Sequence, residues 1–166
     1  MIEDITERMR AESALRESER RFRLLVERAA DAVFLHDLEG VIVDVNQQAC
    51  EGLGYSREEL LKLSVQDIEA EMTEATERDL WRQATSGTPV TLEGEHRRKD
   101  GSTFPVELRI GSFDIDGRRY ILALARDITE RRKSEEALRE TTERLQALVH
   151  AAPVGVTVVD LDGRIR

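Results

Sequence analysis

The sequence predicts an α+β fold: five antiparallel strands with short helices collected on one face, flanked on either side by a long helix. Three observations carry this reading. Segments of strand character come as a pair and then as a trio, with the helical segments gathered between them instead of alternating with them. Residues 103–113 set Phe104, Val106, Leu108 and Ile110 against Pro105, Glu107 and Arg109, the period-two signature of a half-buried strand. Both ends carry stretches free of Gly and Pro and rich in Glu, Arg, Ala and Leu, all good helix formers.

The first such stretch, residues 7–30, holds the Glu-first pairs Glu12→Arg16, Glu17→Arg21 and Glu19→Arg23, each adding roughly 0.2–0.5 kcal/mol to a helix. Leu15, Phe22 and Ala29 recur every seven residues, with Leu25 and Val26 beside them. Residues 128–150 repeat the design with Leu138, Leu145 and Ala152, joined by Ile128 and Val149, and with Glu135→Arg139 and Glu140→Arg144. The repetition is literal: residues 4–43 and 127–166 share 19 of 40 positions at a constant offset of 127 − 4 = 123. A period this long marks repeated domains. The expected organisation is an entry helix over 1–30, a globular domain over 31–127, an exit helix over 128–150 and the opening of a second such domain over 151–166. A weak coiled coil, with Leu15, Phe22, Val26, Leu138, Leu145 and Val149 as its seam, would make the chain a homodimer. Glu12, Glu19, Arg131 and Glu135 interrupt that seam, so a solvated helix packed on its own domain is the competing reading.

Within the globular unit, 32–37 and 41–45 read as strands joined by a turn at Leu38-Glu39-Gly40. Asn46 stands as the N-cap of a helix over 47–53 that Gly52 and Gly54 end. Ser56-Arg57-Glu58-Glu59 is a capping box for the next short helix. Residues 73–86 form the longest internal helix, stopped at Gly87 and Pro89. Strands follow over 90–98, 103–113 and 120–126, with turns at Asp100-Gly101 and Asp116-Gly117. The apolar run Ile121–Ala125 suits a central strand.

Composition excludes several classes. A net charge of −9 argues against a nucleic-acid surface. No run approaches the roughly 18 apolar residues of a membrane span, and the acidic start is unlike a signal peptide. Cys50 is the only cysteine; with no internal disulfide, a cytoplasmic setting is expected. The carboxylates fall on helix faces and in turns, and no phosphate loop, zinc spacing or nucleophile–base pair appears, so no catalysis is expected. His150 aligns with Glu27 of the first repeat and reads as a solvated helix residue.

Residues Val33–Asn46 followed by Gly52-Leu53-Gly54-Tyr55-Ser56-Arg57-Glu58-Glu59-Leu60 resemble the first half of a PAS domain. His96-Arg97-Arg98-Lys99-Asp100-Gly101-Ser102-Thr103-Phe104-Pro105-Val106 resembles its third and fourth strands, and Arg126-Asp127-Ile128-Thr129-Glu130-Arg131 its handover to an exit helix. The resemblance covers about residues 22–131. It implies a sensory, dimerising module of a multi-domain signalling protein, such as a histidine kinase or a diguanylate cyclase, with Asp127, Ile128 and Thr129 relaying a signal into the exit helix. A pure oligomerisation scaffold and a flavin-dependent redox sensor are the alternatives.

The resemblance also frames the cofactor question. Haem-binding relatives carry a histidine on the long internal helix, and residues 71–88 contain none. Photoactive flavin relatives carry a cysteine after the second short helix, where this chain reads Leu63-Ser64-Val65-Gln66-Asp67-Ile68. Trp81 is the residue an FAD-type sensor would use, although the second tryptophan of some such proteins is missing. No cofactor is the expectation. Val33, Leu35, Val45, Cys50, Leu53, Trp81, Phe104, Val106, Ile110 and Leu122 are the candidates for lining a pocket that takes an unidentified small molecule; the same residues as a filled core are slightly preferred.

Overall fold

The structure is a computed structural model that describes residues 2–71, 74–85 and 87–151. In chain order it contains α1 (Ile2–Glu27), β1 (Ala32–His36), β2 (Ile42–Val45), α2 (Gln47–Leu53), α3 (Arg57–Leu60), α4 (Val65–Ile68), α5 (Glu74–Ala84), β3 (Val90–Arg97), β4 (Thr103–Ile115), β5 (Arg118–Asp127) and α6 (Thr129–Ala151). The chain divides after Ile128 into two compact units. Of the expected second domain at 151–166, all but Ala151, which ends α6, lies outside the described residues.

The strands form one antiparallel sheet in the order β2-β1-β5-β4-β3. The apolar run of β5 is central, as its sequence predicts, with β1 on one side and β4 on the other. The β4–β5 hairpin turns on Asp116 and Gly117, whose φ values of 50° and 74° are the positive pair of a type I′ turn. This tight turn lets pairing continue to Ile115↔Arg118, with Asp114 and Arg119 ion-paired at 2.9 Å beside it. Both strands are therefore longer than 103–113 and 120–126.

The helical connection begins where the sequence places it. Asn46 caps α2, its side chain accepting from the Ala49 N–H, and Gly54 ends the helix at φ 76°, a left-handed position that a Cβ makes costly. Ser56 and Glu59 close a reciprocal capping box on α3. Strand alternation then sorts the sheet's two faces. Phe34, His36, Phe104, Val106, Leu108, Ile110, Ile121, Ala123 and Ala125 are buried on one face, and Leu53, Leu60, Ile68 and Ala84 from the helices complete the core with them. Complete burial of a side chain such as Phe34 or Leu53 contributes about 1.5–3 kcal/mol.

Helix α1 ends at Glu27, short of residue 30. Glu12–Arg16 and Glu17–Arg21 pair as expected. Leu15 and Phe22 are 59% and 69% exposed, whereas Val26 is half-buried and its carbonyl is tied to the domain. On α6, considered alone, no residue is buried, and Leu138, Leu145 and Val149 are exposed. Its Arg139 pairs with Glu136 and Glu143, not with the expected Glu135, which meets Arg131 at 3.9 Å. No helix among the described residues is long and apolar enough to cross a membrane.

Candidate functional site

Between α2 and the inner face of the sheet lies a cavity of about 320 Å³, at the low end of the size range for ligand pockets. Its walls are Phe34, Ala49, Leu53, Phe104, Val106 and Ala125; Asp31, Gln48, Arg126 and Asp127 stand at its more exposed margin. Asp31 and Arg126 hold each other through two bonds of 2.9 and 3.0 Å.

One wall is a buried imidazole. His96 is only 2% exposed, and its Nε2 lies 3.1 Å from Oε1 of Glu69, whose side chain is itself 9% exposed. Backbone pairing brings the two together: Glu69 bridges to His96, and the Ala70 N–H donates to the Glu95 carbonyl at 2.8 Å. A Cβ added at Gly94 would stand in ordinary van der Waals contact with Glu69 Oε2, at 3.6 Å, so the carboxylate lies directly against β3 without depending on a glycine there. The His96 ring meets Phe34 and Phe104 almost perpendicularly, at centroid distances of 5.7 and 5.8 Å.

A second constellation joins this cavity to the end of β5. The Arg98 guanidinium sits 3.9 Å above the Phe104 ring. Its Nε donates to the Gly52 carbonyl at the end of α2 at 3.0 Å, and its Nη2 is 3.9 Å from Asp127 Oδ2. Next to Asp127, Ile128 is buried and donates its N–H to the Pro105 carbonyl at 3.1 Å.

At the other end of α2, Asn46 is fully buried and its side chain makes four hydrogen bonds. Its Oδ1 accepts from the N–H groups of Val33 and Ala49 at 2.9 and 3.0 Å; its Nδ2 donates to the carbonyls of Val26 and Asp31 at 3.0 and 3.1 Å. Glu27 adds a clamp outside: it accepts from the Gln47 N–H and pairs with Arg57, which also bonds Asp44.

A five-stranded antiparallel sheet in this order, with short helices over one face and a cavity beneath them, agrees with what known proteins resemble the chain. A family model described as "PAS domain" matches residues 30–130. The chain belongs to the PAS domain family. A PAS domain of an HTR-like protein from Haloarcula marismortui superposes with a TM-score of 0.67 at 31% identity, covering 72% of this chain and 99% of that one. A domain of a sensory box sensor histidine kinase/response regulator from Geobacter sulfurreducens gives a TM-score of 0.60 at 30% identity, covering 68% and 96%. The methyl sulfide methyltransferase-associated sensor of Methanosarcina acetivorans is 34% identical over 144 residues, 86% of this chain and 14% of its own length. The chain spans 14–31% of the length of seven curated relatives that it matches. PAS units of sensor proteins and sensor kinases are thus its kin, and signal sensing is the role that kinship supports.

The ten residues expected to line a PAS pocket divide three ways. Leu53, Phe104 and Val106 line the cavity. Val45 and Ile110 are buried in the core, with Cys50 and Trp81 packed against it. Val33, Leu35 and Leu122 alternate with the buried residues of their strands, and the pairs Leu35↔Leu122 and Val33↔Leu124 place them on the sheet's other face. Burial pushes the Cys50 thiol above its ordinary value. Trp81 lies against His36, ring centroids 4.7 Å apart, while the His36 Nδ1 bonds the Asp37 carbonyl at 2.8 Å. His96, Glu69 and Arg98 were not singled out from the sequence. The signal for His96 was present: Val90, Leu92, Gly94 and His96 share one parity of β3, and His96 pairs with Phe104.

Proposed function

We propose that this PAS domain is a sensory and dimerising relay, in which Arg98 couples the cavity wall to Asp127 and, through Asp127, Ile128 and Thr129, to the exit helix of a downstream output such as a histidine kinase. The observation that carries this reading is the threefold engagement of Arg98 with Phe104, the Gly52 carbonyl and Asp127. Phe104, Gly52 and Asp127 also line the cavity. A change in the cavity therefore bears on the residues that hold the last two positions before α6. Such a device biases a two-state element instead of catalysing a reaction.

The exposed apolar residues of the long helices, Leu15 and Phe22 on α1 and Leu138, Leu145 and Val149 on α6, support a homodimer through helix seams. A cytoplasmic setting accords with a single free cysteine. The scaffold alternative uses the same seams but gives Arg98 no task.

The test is Arg98→Ala in the parent protein, read by output activity, with dimerisation measured by light scattering and amide exchange followed at residues 127–133. Altered output and faster exchange at these positions, with dimer mass unchanged, is the expected result. Unchanged output and exchange would leave the module a scaffold.

A further inference from the structure

The cavity beside α2 carries enough chemistry to name what it takes, given the reading of this domain as a sensor. Charge comes first. Every charged side chain on its margin is matched: Asp31 is held by Arg126 through two bonds, and Asp127 faces Arg98 at 3.9 Å. A charged ligand would bring an uncompensated ion into an already balanced site, which is costly in a partly buried setting. The occupant is therefore neutral.

Shape comes second. The buried walls are aromatic and aliphatic, and the rings of Phe34, His96 and Phe104 stand edge to face around the space. Such walls favour a planar ring that continues the perpendicular or offset packing. A cavity of about 150 Å³ suffices for benzene, so one of about 320 Å³ holds a substituted single ring or a small fused pair.

The polar atom comes third. His96 is buried, lines the cavity, and among the described residues its ring makes one hydrogen bond, from Nε2 to Glu69. A carboxylate only accepts, so in the neutral form of this imidazole the proton sits on Nε2. The remaining nitrogen, Nδ1, is then a lone-pair acceptor with no donor among the described residues. A ligand carrying one O–H satisfies it.

We propose that the cavity binds a neutral phenolic compound, its ring packed on Phe34 and Phe104 and its hydroxyl donating to His96, whose tautomer Glu69 sets.

The test uses the 166-residue chain and fluorine-NMR titrations with para-fluorophenol and para-fluoroanisole, which differ in having or lacking the donor. The phenol should bind saturably and about tenfold more tightly, the ratio expected when one buried acceptor goes unpaired. His96→Leu should remove that ratio by weakening the phenol alone. Ala125→Leu, which adds apolar volume at the cavity wall and removes no polar group, should weaken both ligands. Equal affinities in the unsubstituted chain, tighter binding of the anisole, no saturable binding, or indifference to Ala125→Leu would each overturn the proposal. The comparison of two ligands on the unsubstituted chain decides the matter even if His96→Leu fails to fold. Binding is read directly, so its failure leaves the Arg98 relay standing, and failure of the Arg98 test leaves the binding result intact.

Discussion

Replacing Asn46 by aspartate changes one atom type and removes two hydrogen bonds. Oδ1 keeps its acceptor role toward the N–H groups of Val33 and Ala49. The amide nitrogen, which donates to the carbonyls of Val26 and Asp31, becomes an oxygen facing two oxygens about 3 Å away. Two bonds are lost and two carbonyls are left unpaired beside a buried charge, so N46D should cost roughly 3–5 kcal/mol near neutral pH. That is a large part of the 5–15 kcal/mol typical of a folded domain. The sign with pH follows from the same geometry. Burial and the facing carbonyls raise the introduced carboxyl's folded-state pKa above its unfolded value of about 3.9. The folded variant then binds a proton that the unfolded chain has released, and protonation restores one donor. The penalty is thus full above the folded pKa and shrinks as the pH falls through it toward the unfolded value. Asn46→Ala is the control, since it loses all four bonds but gains no titrating group. Urea unfolding at about pH 7 and about pH 5, followed by circular dichroism and Trp81 fluorescence, measures both variants. If the gap between N46D and N46A does not move toward N46D on acidification, or if N46D matches the unsubstituted chain within about 0.5 kcal/mol at neutrality, this account of Asn46 is wrong.

Gly54→Ala places a Cβ on a helix C-cap whose φ is 76°, and should lower stability by about 1–2 kcal/mol without altering α2 itself; a loss below the error of a urea titration would show that the turn relaxes. The Lys99 ammonium, followed by the Ser56 backbone N–H, holds the Glu59 carboxyl below its ordinary value. Its contribution is present above the unfolded value near pH 4.3 and fades as the pH falls through the depressed one. An NMR titration of Glu59 should therefore show a midpoint below the carboxylate norm that moves back up in Lys99→Met.

Local signals were legible where a residue acts on its own neighbours. Asn46 as a cap, Ser56 with Glu59, and the Asp116-Gly117 turn each follow from side chains bonding within a few residues of themselves. The capping role was only half of what Asn46 does, because its Nδ2 reaches carbonyls 15 and 20 residues back. The inward face is legible on β4, where polar and apolar residues alternate: Phe104, Val106 and Ile110 share one buried face, and the first two line the cavity. It is not legible on β1 and β5. These central strands are apolar on both faces, so their sequence carries no parity, and Val33, Leu35 and Leu122, expected at the pocket, lie on the sheet's other face. The Glu69–His96 pair depends on an isolated bridge between distant segments, and no sequence period encodes that.

Helix α2 is the element these observations share. Its N-terminal cap, Asn46, holds the end of α1 and the start of β1; the Gly52 carbonyl near its other end is held by Arg98. Between them, Gln48, Ala49, Gly52 and Leu53 line the cavity. Seven residues of helix span about 10 Å and do not bend without breaking backbone bonds. A displacement of α2 is therefore shared between both ends, at the last turn of the entry helix and at the arginine facing Asp127. A flexible loop in its place would absorb the same displacement locally. In the proposed relay, the rigid segment, and not the cavity alone, would carry a change at the cavity to both ends.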